Sequence, residues 1–159
     1  MTTSKVYDVF SIADAILKIA KAKGHALTPM KLIKLTYIAH GWALAVLDRD
    51  LFGNKIEAWQ YGPVIPDLYH ATKKYGKNEI PLSIVGDSSN ISLDKDTVDF
   101  LNDVYGKYGN FSAIHLSNLT HQSGTPWDLV YKEGVRRIEI PDDIIRDHYK
   151  NLLAASQAA

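Results

Sequence analysis

The chain has 159 residues, no cysteine, and eighteen basic residues against eighteen acidic ones. Disulfides and thiolate metal sites are excluded, and the neutral balance lacks the electropositive footprint of a nucleic-acid binder. The longest apolar run, Trp42–Leu47, falls far short of the ~18 residues that cross a bilayer, and the N-terminus has no secretory pattern, so a soluble cytoplasmic protein without a membrane partner is expected.

One domain spanning 1–159 is expected, with a core from about 8 to 153 that needs no staples at this length. In chain order, Ser11 and Asp14 have capping-box spacing ahead of a first helix whose Ile12, Ala13, Ile16 and Ala20 share a face, and Gly24 ends it. The second helix starts with Thr28 as cap and Pro29 at its first position. It carries two adjacent apolar stripes: Leu32, Leu35, Thr36, Ala39, Trp42, Ala43 and Val46, and beside them Ile33, Tyr37, Gly41 and Leu44. A helix apolar on so much of its surface is central.

Residues Ile56 to Tyr69 then gather three aromatics, two prolines and a glycine. Alternation from Ile56 to Tyr61 predicts a short extended piece, Gly62 permits a reversal that Pro63 fixes, and Pro66 with Asp67 opens a helix running to Gly76. Ile80–Ile91, with Pro81, Gly86 and Ser88-Ser89-Asn90, lacks a helical period and reads as a surface excursion. Val98, Leu101, Val104, Tyr105 and Tyr108 mark an amphipathic helix ending near Gly109, and a shorter one runs from Ser112 to about His121. Thr125-Pro126 caps and starts another, Pro141-Asp142-Asp143 opens the last, and residues 154–159 read as a frayed, flexible tail. The fold class is mainly α: a compact bundle of six or seven helices with a small extended excursion.

Charge is uneven along this framework. Lys5, Lys18, Lys21, Lys23, Lys31 and Lys34 make the first helices basic, and Asp87, Asp94, Asp96, Asp99 and Asp103 make a middle segment acidic. Such runs are ordinarily solvated faces, and the alternative is steering of a charged protein partner.

Catalytic patterns are missing. There is no Gly-x-Gly-x-x-Gly, no Gly-Lys-Ser/Thr phosphate loop, no Gly-x-Ser-x-Gly and no His-Glu-x-x-His. The six histidines include no i, i+4 pair that would present two imidazoles on one helix face, so no metal ligand and no cofactor are assigned. His121 with Ser123 and Asp128 is the best nucleophile set available, and nothing supplies it with an oxyanion hole. The chain is read as a non-enzyme. Large rings fixed by prolines lose little entropy on binding, so the aromatic turn is the first candidate for a recognition surface, against the plainer reading that Trp59 and Tyr61 close a structural corner.

Lys31-Leu32-Ile33-Lys34-Leu35-Thr36-Tyr37, Gly41-Trp42, Leu51-Phe52, Glu57-Ala58-Trp59-Gln60-Tyr61-Gly62-Pro63-Val64, Leu68-Tyr69, Leu119-Thr120-His121 and Pro126-Trp127 follow one another in an order that resembles the Panacea domain of SocA-like antitoxins, found in bacteria, phages and prophages. The resemblance runs from about Asp8 to Tyr149. It implies a mostly helical antitoxin that neutralises a separately encoded protein toxin by binding it. A family member associated with delivering its toxin to a protease makes an adaptor, with a protease as second partner, the alternative. A DNA-binding regulator using the basic second helix is a further alternative, though no DNA-binding domain is added to this chain. On this reading Trp59, Tyr61, Pro63 and Tyr69 face the toxin, His121, Pro126 and Trp127 pack beside or beneath them, and the basic face of Lys31 and Lys34 is the next candidate. The toxin's identity and the oligomeric state, a homo-oligomer included, stay open.

Overall fold

The computed structural model describes residues 6–81 and 93–158, and 61% of these described residues are helical. Helix α1 (Val9–Ala22) is followed by α2 (Pro29–Trp42), which passes into a π-helical turn, Ala43–Leu47. Strands β1 (Glu57–Trp59) and β2 (Gly62–Val64) form a hairpin, and α3 (Pro66–Thr72) closes in a 3₁₀ turn, Lys73–Tyr75. Helices α4 (Lys95–Tyr108), α5 (Ala113–Thr120) and α6 (Pro126–Val130) precede β3 (Ile138–Glu139) and α7 (Asp142–Ala158). The mainly helical expectation holds: seven α-helices accompany one small antiparallel sheet among the described residues.

Helix α2 is the hub, packing against α1, α3, α4, α5, α7 and β2. Its two stripes bury Leu32, Ile33, Leu35, Tyr37, Ile38, Ala39 and Trp42. At Gly41, α2 and α7 approach so closely that a Cβ would stand 2.2 Å from Cε2 of Tyr149. Burying a side chain the size of Tyr37 or Leu35 contributes roughly 1.5–3 kcal/mol each, so this helix carries much of the core.

Caps and prolines act where the local sequence places them. Thr28 accepts from the Lys31 N–H, Ser112 from His115 and Thr125 from Asp128, with Pro29 and Pro126 at helix starts. Three local readings are corrected. Asp8, not Ser11, caps α1 by accepting the Phe10 N–H, which starts the helix earlier and turns Ser11 and Asp14 into its buried side. The wider π-helical turn carries Val46 off the α2 stripe into solvent. The tail expected to fray continues α7 through Ala158, in keeping with the strong helix propensity of its alanines and glutamine. Most of the Ile80–Ile91 excursion lies outside the described residues.

The extended piece is the middle of a sheet ordered β2-β1-β3. Glu57, Ala58 and Trp59 pair with Val64, Pro63 and Gly62, leaving Gln60-Tyr61 as a two-residue turn. Pro63 is tolerated because β2 is an edge strand. The third strand was not foreseen; it places Glu139 opposite Glu57 and Ile138 opposite Ala58, and Ile140 N–H donates to the Ile56 carbonyl at 2.8 Å.

Candidate functional site

The hairpin is fastened from below by three different elements. Lys34 of α2 donates from Nζ to the Pro63 carbonyl at 2.9 Å, Trp127 of α6 donates from Nε1 to the Trp59 carbonyl, and Ser117 of α5 donates to the Tyr61 carbonyl at 3.4 Å. Gly62 has φ +117°, a conformation that favours glycine whatever the space, and a Cβ there would also press on Lys34 Nζ at 2.8 Å and so disturb the bond to the Pro63 carbonyl.

Aromatic rings continue the network outward. Trp59 meets Tyr69 edge-on at 4.9 Å and donates from Nε1 to Glu57 at 2.9 Å. His121 meets Trp127 edge-on at 5.5 Å, and Trp127 stacks on Tyr131 at 4.6 Å. At the tip, Tyr61 is 72% exposed.

The structure therefore brings together Trp59, Tyr61, Pro63, Tyr69, His121, Pro126, Trp127 and Lys34, and separates Lys31, which donates to the Gly109 carbonyl at 2.6 Å at the C-terminal end of α4. Within the group, Lys34, Pro63 and Pro126 are buried; for Lys34 and Pro63 this corrects the expectation that they face a partner, whereas Pro126 was expected beside or beneath that face. Lys34 is 4% exposed, and desolvation lowers its ammonium to about 8. The buried second helix also removes the basic face on which a DNA-binding reading depended. His121, Ser123 and Asp128 are not assembled for nucleophilic chemistry: His121 Nδ1 donates to the Ser117 carbonyl, and Asp128 accepts the Gly124 N–H.

Next to the hairpin lies an open groove of about 1310 Å³. Glu57 and Trp59 of β1 line it together with Lys55, Asp67 and His70, and so do Tyr131, Val135, Arg136 and Arg137 from the connection leading into β3. Of these, only Trp59 was singled out from the sequence. Arg136-Arg137, just after Gly134 in a wholly exposed stretch, was the available signal, but its approach to β1 depends on the unforeseen β3 pairing. Arg137 has φ 60°, a left-handed conformation that costs a non-glycine residue on the order of 1 kcal/mol.

A second polar cluster sits at the junction of α2 and α7. His40 donates from Nε2 to Asp142 at 3.0 Å and lies 3.5 Å from Asp50, with Arg146 acting on both carboxyls. Burial and the Asp142 carboxylate push the Asp50 carboxyl up, whereas the hydrogen bond from His40 holds Asp142 below the usual range. Donor atoms of His40, Asp50 and Asp142 lie within 4.8 Å of one another, so this trio could hold a cation, while Arg146 already balances its charge. Helical spacing could not have revealed it, because its members come from separate segments.

The hairpin and its helical supports fall inside residues 32–128, which match the family described as Antitoxin SocA-like, Panacea domain. The chain belongs to this family of antitoxins. It is 30% identical over 155 residues to Antitoxin SocA of Caulobacter vibrioides (strain NA1000 / CB15N), covering 90% of this chain and 82% of that protein. No solved structure matches the chain. Among the described residues no helix is long and apolar enough to cross a membrane.

Proposed function

We propose that this antitoxin neutralises a cognate cytoplasmic protein toxin by binding it directly through the hairpin face, without catalysis of its own. The observation that carries this reading is a turn whose three carbonyls, those of Trp59, Tyr61 and Pro63, are each held from beneath while the Tyr61 ring stands in solvent. A preorganised aromatic pays little ordering cost on association, and Tyr and Trp dominate binding hot spots. Occlusion of the toxin and its delivery to a protease share this binding step, so either outcome follows from the same surface.

Antitoxins of this kind are encoded beside their toxins, which defines the test. The neighbouring gene product, expressed alone, should arrest growth; co-expression with this chain should restore it, and the two purified proteins should form a stoichiometric complex in titration calorimetry. Rescue of growth without any complex would sink direct binding.

A further inference from the structure

The groove beside the hairpin has unbalanced charge chemistry. Among the described residues Lys55, Arg136 and Arg137 have no carboxylate or hydrogen-bond partner, although two carboxylates line the same groove. Those acids bond to neutral donors and form no ion pair with the three cations: Glu57 accepts from Trp59 Nε1 at 2.9 Å and Asp67 accepts from Asn54 at 2.8 Å. Three cations without an ion pair, against two carboxylates, thus surround aromatic surface from Trp59 and Tyr131 and leave the lining net positive in a chain of zero net charge. The volume of about 1310 Å³ exceeds the roughly 300–1,000 Å³ usual for small-molecule pockets, and suits a polypeptide segment better than a metabolite. Arg137 is held in its left-handed conformation at this wall, and such an outlier points toward function.

We propose that this groove receives an acidic segment of the partner toxin, with Arg136 and Arg137 taking its carboxylates and Trp59 and Tyr131 packing against its side chains; this rests on the direct-binding reading above. The planar guanidinium suits bidentate capture of carboxylates, and arginine and aromatic residues are the groups enriched at protein interfaces. Phosphates would answer the same cations, but a nucleic-acid site needs a basic stripe over a larger surface than this groove offers.

The test measures the affinity of the purified neighbouring gene product for the full chain and for the double variant Arg136→Glu/Arg137→Glu, at low and high salt, with melting temperatures recorded for both. The variant should melt like the parent, bind about thirtyfold more weakly at low salt, and lose most of the parent's salt dependence. Lys55→Glu, in a different segment, should act in the same direction. Parent-like affinity in both variants would overturn the groove assignment and leave direct binding standing, whereas failure of the parent chain to bind would overturn the reading beneath it. Salt-dependent binding of a short duplex DNA that the double variant abolishes would reassign the groove to nucleic acid.

Discussion

The α2–α7 junction and the hairpin groove both concentrate charge and aromatic rings, yet they treat charge in opposite ways. At the junction the charges of His40, Asp50, Asp142 and Arg146 balance one another, although His40 Nδ1 and Arg146 Nε have no hydrogen-bond partner among the described residues, and Trp42 meets Tyr149 edge-on at 5.2 Å while donating to the Tyr108 hydroxyl at 2.9 Å. At the groove, Lys55, Arg136 and Arg137 stand without partners among the described residues, and the Tyr61 ring is exposed. Charges that balance one another inside the fold bear on its stability; unpaired but solvated ones cost it nothing and stay available to a partner. Substitutions at the junction should therefore change stability, and those on the outer hairpin face should change binding.

The strongest way to break this contrast is Trp42→Ala. The ring lies between Tyr149 and Tyr108 in the core, and its removal should cost roughly 3–5 kcal/mol of unfolding free energy, read from denaturant titration. An unchanged denaturation midpoint would show that the junction carries no special share of stability.

How far the sequence foretold this contrast depends on the range over which the residues act. Thr28-Pro29, Ser112 and Thr125-Pro126 mark helix starts through bonds spanning three residues, and all three lie where local chemistry puts them. The double stripe of α2 likewise declares a buried helix. His40 with Asp142, Trp59 with Trp127 and β1 with β3 are brought together across 68 to 102 positions, and no local pattern encodes them. The hairpin was legible as an aromatic, glycine-proline turn; its underside was not, because Lys34 looked like a surface cation on a helix whose burial it shares.

Lys34 tests that underside through pH. Its ammonium titrates near 8 in the folded protein, below the ordinary 10.5, so between these values the unfolded chain holds more protons than the folded one. Stability should then rise with pH across this window, by at most roughly 3 kcal/mol, as the buried charge is relieved. Above about pH 10 the trend should reverse, since burial raises Tyr37 and Tyr149 and only the unfolded tyrosines ionise. Denaturant titrations of the parent and of Lys34→Met from pH 7 to 10 check this: the variant should lose the rise, and an identical slope in both would mean that Lys34 keeps a solvated ammonium.

Tyr61→Ala makes the smallest change in stability and is the sharpest probe of the contrast. The backbone of Tyr61 is held by Ser117, but the ring is 72% exposed, so its loss should move unfolding free energy by no more than about 0.5 kcal/mol. If the hairpin tip is a hot spot, the same variant should bind the toxin about 2 kcal/mol more weakly, near thirtyfold. Trp59→Ala cannot separate the two effects, because Trp59 packs on Tyr69 as well as lining the groove. Tyr61 can, since it is the one sequence-selected aromatic of the site left largely in solvent. Full affinity with unchanged melting would make the hairpin a structural corner and leave partner recognition to the groove cations alone; a large fall in melting temperature would show that the tip is packed and that the division between folding and binding faces fails at this residue.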